Sequence, residues 1–356
     1  MSEKLIRVAQ VLAGAEYGGA ENFFVRLTRG LSRVSGITEK AFIRNHGHRI
    51  NTLRESGVTT EGFRFGGKLD FIDNWRFRNA LKCWQPDIVM TWMGRASQAT
   101  PRGNYVLVNR LGHYYNLKYY RKADYWVGIT KGICQHLIDG GMPADRVVHI
   151  PNFADETDVT PVPRDSFNTP TDRPLILAAG RLHENKGFDI LLQALVHIPD
   201  ATLWLAGAGP EASKLKSLCH KLGLDDRVRF LGWRNDVTAL MRTADVFVCP
   251  SRHEGLGSIV LESWVSRCPI VATASQGPSE LINNGVTGLI TPIDEVMPLA
   301  DAINRLLTTT SLRQQLAENA MREYTEKYSE AVIIEAYRNL FERIHTQHHK
   351  HQKQLI

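Results

Sequence analysis

Twice along this 356-residue chain a short apolar run ends in a glycine-bearing turn and passes into an amphipathic helix. Ile6–Leu12 leads into Gly14, Gly18 and Gly19, then a stripe of Ala20, Phe24, Leu27, Leu31 and Val34. Leu175–Ala179 leads into Gly180-Arg181-Leu182 and Asn185-Lys186-Gly187, then Phe188, Leu191, Leu192, Leu195 and Ile198. A strand that is apolar on both faces and hands over to a helix belongs in a parallel sheet covered by helices on each side. The plan continues after each start. Residues 40–44, 60–65, 87–92, 105–109, 125–130 and 147–151 read as further strands, with helices over 74–83 and 131–139. In the second half Thr202–Ala206, Val228–Leu231, Val246–Val248 and Pro269–Thr273 alternate with helical stretches. No sequence repeat goes beyond this shared plan.

Residues 152–174 break the pattern, holding Pro161, Pro163, Pro170 and Pro174 with little hydrophobic periodicity. That is a hinge between two domains, as the length also suggests. The fold class is therefore α/β, with two Rossmann-like, doubly wound parallel-sheet domains. The first spans residues 1–160 and the second 175–326, with 161–174 as linker. A last amphipathic segment carries Ile334, Tyr337, Leu340, Phe341 and Ile344, and the His-, Lys- and Gln-rich tail 346–356 is expected to be disordered.

Composition excludes some functions. An apolar content of 43% is ordinary for a soluble globular protein, and no apolar run approaches the ~20 residues needed to cross a bilayer. No signal-peptide pattern precedes the first strand, and five scattered cysteines read as thiols in a reducing cytoplasm. The net charge of +6 is uneven: residues 1–165 hold 23 Lys and Arg against 16 Asp and Glu, whereas the remainder is nearly neutral. The basic half suits an anionic membrane surface or a phosphorylated acceptor, and solubility alone accounts for it equally well. No basic-aromatic stripe or known module points to nucleic acid.

The chemistry concentrates in Pro250-Ser251-Arg252-His253-Glu254-Gly255-Leu256-Gly257-Ser258 and the helix beyond it. Two glycines keep side chains away, and Ser258 is expected to cap a helix carrying Ile259, Val260 and Leu261. Free amides at that start form an anion site. Glu262 lies one turn beyond on the same face, and Glu254 lies in the loop before it. Such a place suits a ligand with both phosphates and hydroxyls. Arg181 and Lys186 straddle another strand-to-helix loop, where two cations can take a diphosphate. Gly207-Ala208-Gly209-Pro210-Glu211-Ala212 matches a dinucleotide fingerprint in letters but follows the second strand of its domain. No acid closes the next strand, so a glycine-rich turn facing phosphate is the safer reading. Trp233 and Arg234 end a strand at the rim where a nucleobase edge could be read, although Trp233 equally suits packing. In the first half Gly18 and Gly19 permit close approach of a ligand, and His46, His48, Arg49, Arg95, Arg110 and His113 follow strands at one rim. Polar and basic groups recurring there would suit an acceptor.

These residues resemble the retaining glycosyltransferases of family 4, which have the GT-B fold, in particular the bacterial enzymes of lipopolysaccharide and envelope polysaccharide. The resemblance covers nearly the whole chain: Gly18-Gly19-Ala20-Glu21, Pro151-Asn152, Gly180-Arg181-Leu182 with Lys186-Gly187, Gly207 to Glu211, and Glu254 with Glu262 at E-x7-E spacing. It implies two domains facing a central cleft, with segment 327–345 packing back on the first. It further implies transfer of a hexosyl unit from a UDP-, GDP- or ADP-sugar to a hydroxyl of a glycan or glycolipid. Glu262 would hold the ribose, Glu254 the donor sugar, and Arg181 and Lys186 the diphosphate, assisted by amides near Gly257 and Ser258. Gly18, Gly19, Gly180, Gly207, Gly209, Trp233 and Arg234 would complete the donor side. Arg95, His48 and Arg110 would lie on the acceptor side, and His113 lies where relatives often place a histidine. The glycine that often follows the hinge Asn is missing, since Phe153 follows Asn152. No Asp-x-Asp pair is present, so neither a metal nor a cofactor beyond the donor is expected. With the thiols read as cytoplasmic, the basic first half motivates the further expectation that the enzyme works on envelope polysaccharide or lipid-linked precursors at the inner membrane face. An epimerase of the same architecture, or a nucleotide-sugar-binding protein without turnover, is the alternative.

Overall fold

The computed structural model describes residues 5–16, 18–67, 70–255 and 257–354, so Tyr17 of the first turn and Leu256 of the central stretch lie outside it. The chain divides into two units: residues 1–153 with 330–356, and residues 154–329.

The first unit is built from β1 (Ile6–Leu12), α1 (Gly19–Leu31), β2 (Ile37–Arg44), α2 (Gly47–Glu55), β3 (Thr59–Phe63) and α3 (Phe71–Trp84). β4 (Ile88–Trp92), α4 (Met93–Ala99), β5 (Val106–Leu111), β6 (Tyr125–Gly128), α5 (Lys131–Asp139) and β7 (Val147–His149) complete the run. All seven strands are parallel in the order β3-β2-β1-β4-β5-β6-β7. In the second unit β8 (Leu175–Ala179), α6 (Phe188–Val196), β9 (Thr202–Ala206), α7 (Ala212–Lys221), β10 (Val228–Gly232), α8 (Val237–Thr243) and β11 (Val246–Cys249) come first. α9 (Ser258–Val265), β12 (Ile270–Thr273), α10 (Gln276–Leu281), β13 (Leu289–Thr291), α11 (Val296–Thr308) and α12 (Thr310–Lys327) follow. Its six parallel strands run β10-β9-β8-β11-β12-β13. The last helix, α13 (Glu330–Gln354), returns to the first unit.

Each sheet is buried on both faces, which is why its strands read as unbroken apolar runs. In the second unit Leu191, Leu195, Leu299 and Ile303 cover one face, while Leu261, Trp264 and Tyr324 cover the other. In the first, the stripe on α13 (Tyr337, Leu340, Phe341, Ile344) packs with Phe23, Phe24 and Leu27 of α1. α13 runs on to Gln354, into the tail for which the sequence suggests disorder. Extending a formed helix fixes one residue per added hydrogen bond, and Gln347 is further held by Tyr125, whose hydroxyl donates to it at 2.7 Å. Residues 355 and 356 lie outside the described residues. Among the described residues no helix is long and apolar enough to cross a membrane.

Candidate functional site

In the second sheet the chain leaves β8 toward one edge and β11 toward the other, although these strands are neighbours. Such a switch point is where an open α/β sheet binds ligands, at the carboxyl ends of its strands, and here the loops after β8 and β11 are drawn together. Both loops carry ionic candidates from the sequence. Lys186, at the end of a 3-10 turn after β8, places Nζ 2.5 Å from Glu254 Oε2 in the loop after β11. Main-chain bonds stitch the loops around this pair. The Arg252 and His253 N–H groups donate to the Asn185 carbonyl at 2.8 and 3.2 Å, and the Gly277 N–H donates to the Glu254 carbonyl at 2.6 Å.

Arg252 is the clamp behind the pair. Its guanidinium donates to both carboxylate oxygens of Asp189, at 2.9 and 2.8 Å, to the Glu184 carbonyl at 2.6 Å, and reaches Asp294 at 2.6 Å. The Asp189 hydrogen bond, with the nearby charges of Asp189 and Asp294, raises its pKa further above the ordinary arginine value. Neither Arg252 nor Asp189 was expected at the site. The available signal was an acid in the first turn of α6, where the helix dipole favours it.

Arg181 is placed differently. It is exposed and, among the described residues, makes no hydrogen bond or ion pair. It lines a cavity of about 410 Å³ with Gly180, Gly207, Trp233 and Arg234. Arg234 already forks onto Asp236 at 2.8 and 2.5 Å and lies over the Phe167 ring at 5.3 Å. The shared hydrogen bonds raise the Arg234 pKa and lower that of Asp236, so this cation is largely committed. Trp233 is 71% exposed, which makes it a surface ring at the cavity edge and not a packing residue.

The glycine-rich turn after β9 has a structural cause. Gly207 has φ 151°, and a Cβ there would lie 1.8 Å from the Gly180 carbonyl oxygen. The β8 and β9 loops thus press backbone on backbone, and Gly209 approaches the Leu182 carbonyl in the same way. At α9 the expected cap is corrected: Gly257, in the left-handed region at φ 61°, is the N-cap, and Ser258 is the first helical residue. The left-handed turn closes the loop one residue earlier than a serine cap would. Among the described residues the N-cap offers no capping side chain and the first turn holds no acid, and a helix start of that kind favours an anion. Glu262 is half-buried one turn along.

The remaining candidates belong to the first unit. Gly18 and Gly19 open α1, and their turn is tied from inside. Glu21 accepts the Ala15 N–H at 2.8 Å, while Arg49 donates to the Ala15 and Glu16 carbonyls at 2.9 and 2.6 Å. Burial lowers the Arg49 pKa, and the Glu21 charge opposes that shift. His48 and Arg95 are exposed at the starts of α2 and α4, and His113 is exposed after β5 beside Tyr114 and Tyr115. Arg110 does not lie on an open rim. It is 3% exposed, donates to Tyr337 at 3.0 Å and to Asn152, and sits over the Trp92 ring at 4.2 Å. Its place on the acceptor side is thereby corrected to an internal bracket between β5, α13 and the hinge residue Asn152. Arg95 lines a cavity of about 590 Å³ with Arg78, Lys118, Lys122, Phe71 and Trp75, and no acid is in that lining.

Residues 161–323 match the family model "Glycosyl transferases group 1". The chain is 35% identical over 328 residues to the lipopolysaccharide core biosynthesis glycosyltransferase LpsE of Rhizobium meliloti (strain 1021), covering 91% of this chain and 95% of that one. LpsD of the same organism is 33% identical over 341 residues, covering 95% and 98%. Among solved structures, Anabaena Alr3699/HepE in complex with UDP superposes with a TM-score of 0.84 over 95% of this chain and all of that one. At 21% identity that likeness shows the shared GT-B fold.

Proposed function

The chain belongs to the group 1 glycosyl transferases, and from that footing we propose that it transfers a hexosyl unit from a nucleotide-diphosphate sugar to a hydroxyl of a glycan or glycolipid, with retention of configuration. The observation that supports this is the set of groups at the carboxyl ends of β8 and β11: the Lys186 ammonium, the start of α9 and, on the same β8 loop but lining the neighbouring cavity, the uncommitted Arg181 guanidinium. Departure of a nucleoside diphosphate builds charge on its β-phosphate, and fixed cations with helix amides stabilise that charge. An arriving diphosphate draws on Lys186, which loosens Glu254 to accept from sugar hydroxyls, and Glu262 accepts from the ribose. The reading needs no divalent ion at the phosphates. Retention follows the family 4 resemblance, in which the leaving phosphate helps deprotonate the acceptor, so no separate general base is invoked.

A UDP-hexose donor is supported by Anabaena HepE, which has been solved with UDP and with UDP-glucose. A role in lipopolysaccharide core assembly is supported by the names of LpsE and LpsD. The acid-free cavity beside Arg95 supports an anionic acceptor bound by the first unit. Phe71, Ile72 and Trp75, each at least 67% exposed on α3 next to that cavity, support a cytoplasmic enzyme resting on an anionic membrane face. A thermal-shift panel of UDP-, GDP- and ADP-hexoses, followed by product analysis with a lipopolysaccharide core acceptor, tests the proposal. One donor class should raise Tm and yield an α-linked product. Release of an epimerised donor without acceptor, or no response to any donor, contradicts it.

A further inference from the structure

The last turns of α13 bring three metal-ligating side chains to one point in the first unit. His345 and His349 are one turn apart and share a helix face, and Asp87, just before β4, lies against that face. The two Nε2 atoms are 2.9 Å apart, and Asp87 Oδ1 is 3.6 Å from His345 Nε2. All three ligand atoms fall within 4.8 Å of one another. The carboxylate is oriented from behind, because Asp87 Oδ2 accepts the Arg7 N–H at 2.9 Å. His345 is 9% exposed, and Asp87 and His349 are half-buried.

Two imidazole nitrogens facing each other can share at most one proton, and the carboxylate adds negative charge beside them. A cation placed among them takes all three donors at once. Ligands about 2.0–2.1 Å from a common ion stand roughly 2.9–3.4 Å apart at cis or tetrahedral angles. The His–His separation falls in that range, and the His–Asp separation lies just outside it. The widest gap closes with a side-chain adjustment of roughly 1 Å. Two imidazoles and one carboxylate suit zinc and its first-row neighbours, whereas calcium and magnesium prefer all-oxygen shells. The hydrogen bond from Arg7 is the kind of outer-shell contact that fixes a ligating carboxylate.

We propose that Asp87, His345 and His349 form a zinc site, completed by water, that staples the end of α13 to the start of β4. The apolar stripe of α13 ends at Ile344, so the ion holds the helix one turn past the last hydrophobic contact. No residue of the candidate donor site takes part, and the proposal is independent of the reaction assigned there. No metal spacing is visible along the chain because Asp87 lies between α3 and β4, whereas both histidines lie in α13, far away in sequence.

The test uses the full chain, stripped with a chelator and titrated with zinc sulfate against a chromophoric competitor. One ion per chain should bind with micromolar or tighter affinity and raise Tm, and cobalt(II) should give the visible bands of mixed nitrogen and oxygen coordination. His349→Ala and Asp87→Asn should each weaken binding at least tenfold while circular dichroism stays unchanged. His348→Ala, outside the cluster, should leave affinity unchanged. Absence of stoichiometric binding overturns the proposal, as does zinc that survives both cluster substitutions or is lost with His348→Ala.

Discussion

Removing the Lys186 ammonium tests whether one cation serves both the fold and the leaving group. Its partner Glu254 has a side chain only 13% exposed, while Lys186 is 27% exposed. Lys186→Met leaves a mostly buried carboxylate without its partner, which costs about 1–3 kcal/mol of stability in the second unit. Glu254→Gln strands the more exposed lysine and should cost less. In the double variant neither charge is left uncompensated, so a coupling of about 1–2 kcal/mol should appear in the cycle. Turnover should behave otherwise. Losing one charge-stabilising donor lowers kcat by about 2.7–4 kcal/mol, a factor of roughly 10²–10³, and the double variant does not recover it. Urea unfolding followed through the transition of the second unit, together with steady-state transfer assays, reads both quantities. Additive stabilities would refute the ion pair. A Lys186→Met enzyme with wild-type kcat would refute its role at the departing phosphate.

Two further outcomes follow from the first unit. Glu39 is buried, its Oε1 accepts from Gln10 at 2.7 Å, its Oε2 has no partner among the described residues, and burial pushes its pKa up to about 8. The folded chain then keeps a proton that the unfolded chain releases, so stability falls as pH rises from about 4.5 to 8, by up to roughly 1.4 kcal/mol per pH unit. Glu39→Gln should remove that slope, and identical urea midpoints for variant and wild type from pH 5 to 8 would contradict it. Replacing Phe71 and Trp75 by Ser should change stability by less than about 0.5 kcal/mol per site because both side chains are exposed. Flotation with anionic vesicles should nevertheless fall several-fold, and unchanged flotation would remove the membrane-facing role.

Much of the architecture could be read in advance because burial on both faces writes itself into sequence. Leu175–Ala179 is apolar throughout, Thr202–Ala206 is apolar after its first residue, and both appear as β8 and β9 with the same bounds. What escaped were contacts between distant residues. The bond between Lys186 and Glu254 spans 68 residues, and the clamp from Arg252 to Asp189 spans 63. Neither leaves a local pattern. Arg110 looked like a rim residue because it lies near a strand end, but its side chain is received inside the unit by Tyr337 of α13 and the Trp92 ring at the end of β4. The glycines after β9 read as a phosphate turn, and the close approach of the neighbouring loop, invisible in the sequence, requires them as well. Ser258 carried the letter of a cap while Gly257 supplied the backbone turn. The tail composition suggests disorder, whereas α13 continues to Gln354 and Gln347 accepts from Tyr125.

The central claim is that a nucleotide's diphosphate lodges at the carboxyl ends of β8 and β11. A crystal structure with the donor sugar that most raises Tm addresses it directly. The account predicts phosphate oxygens within hydrogen-bond reach of Arg181, Lys186 and the first amides of α9, with the ribose at Glu262. A diphosphate bound elsewhere, with Lys186 still paired to Glu254 and Arg181 untouched, would contradict it.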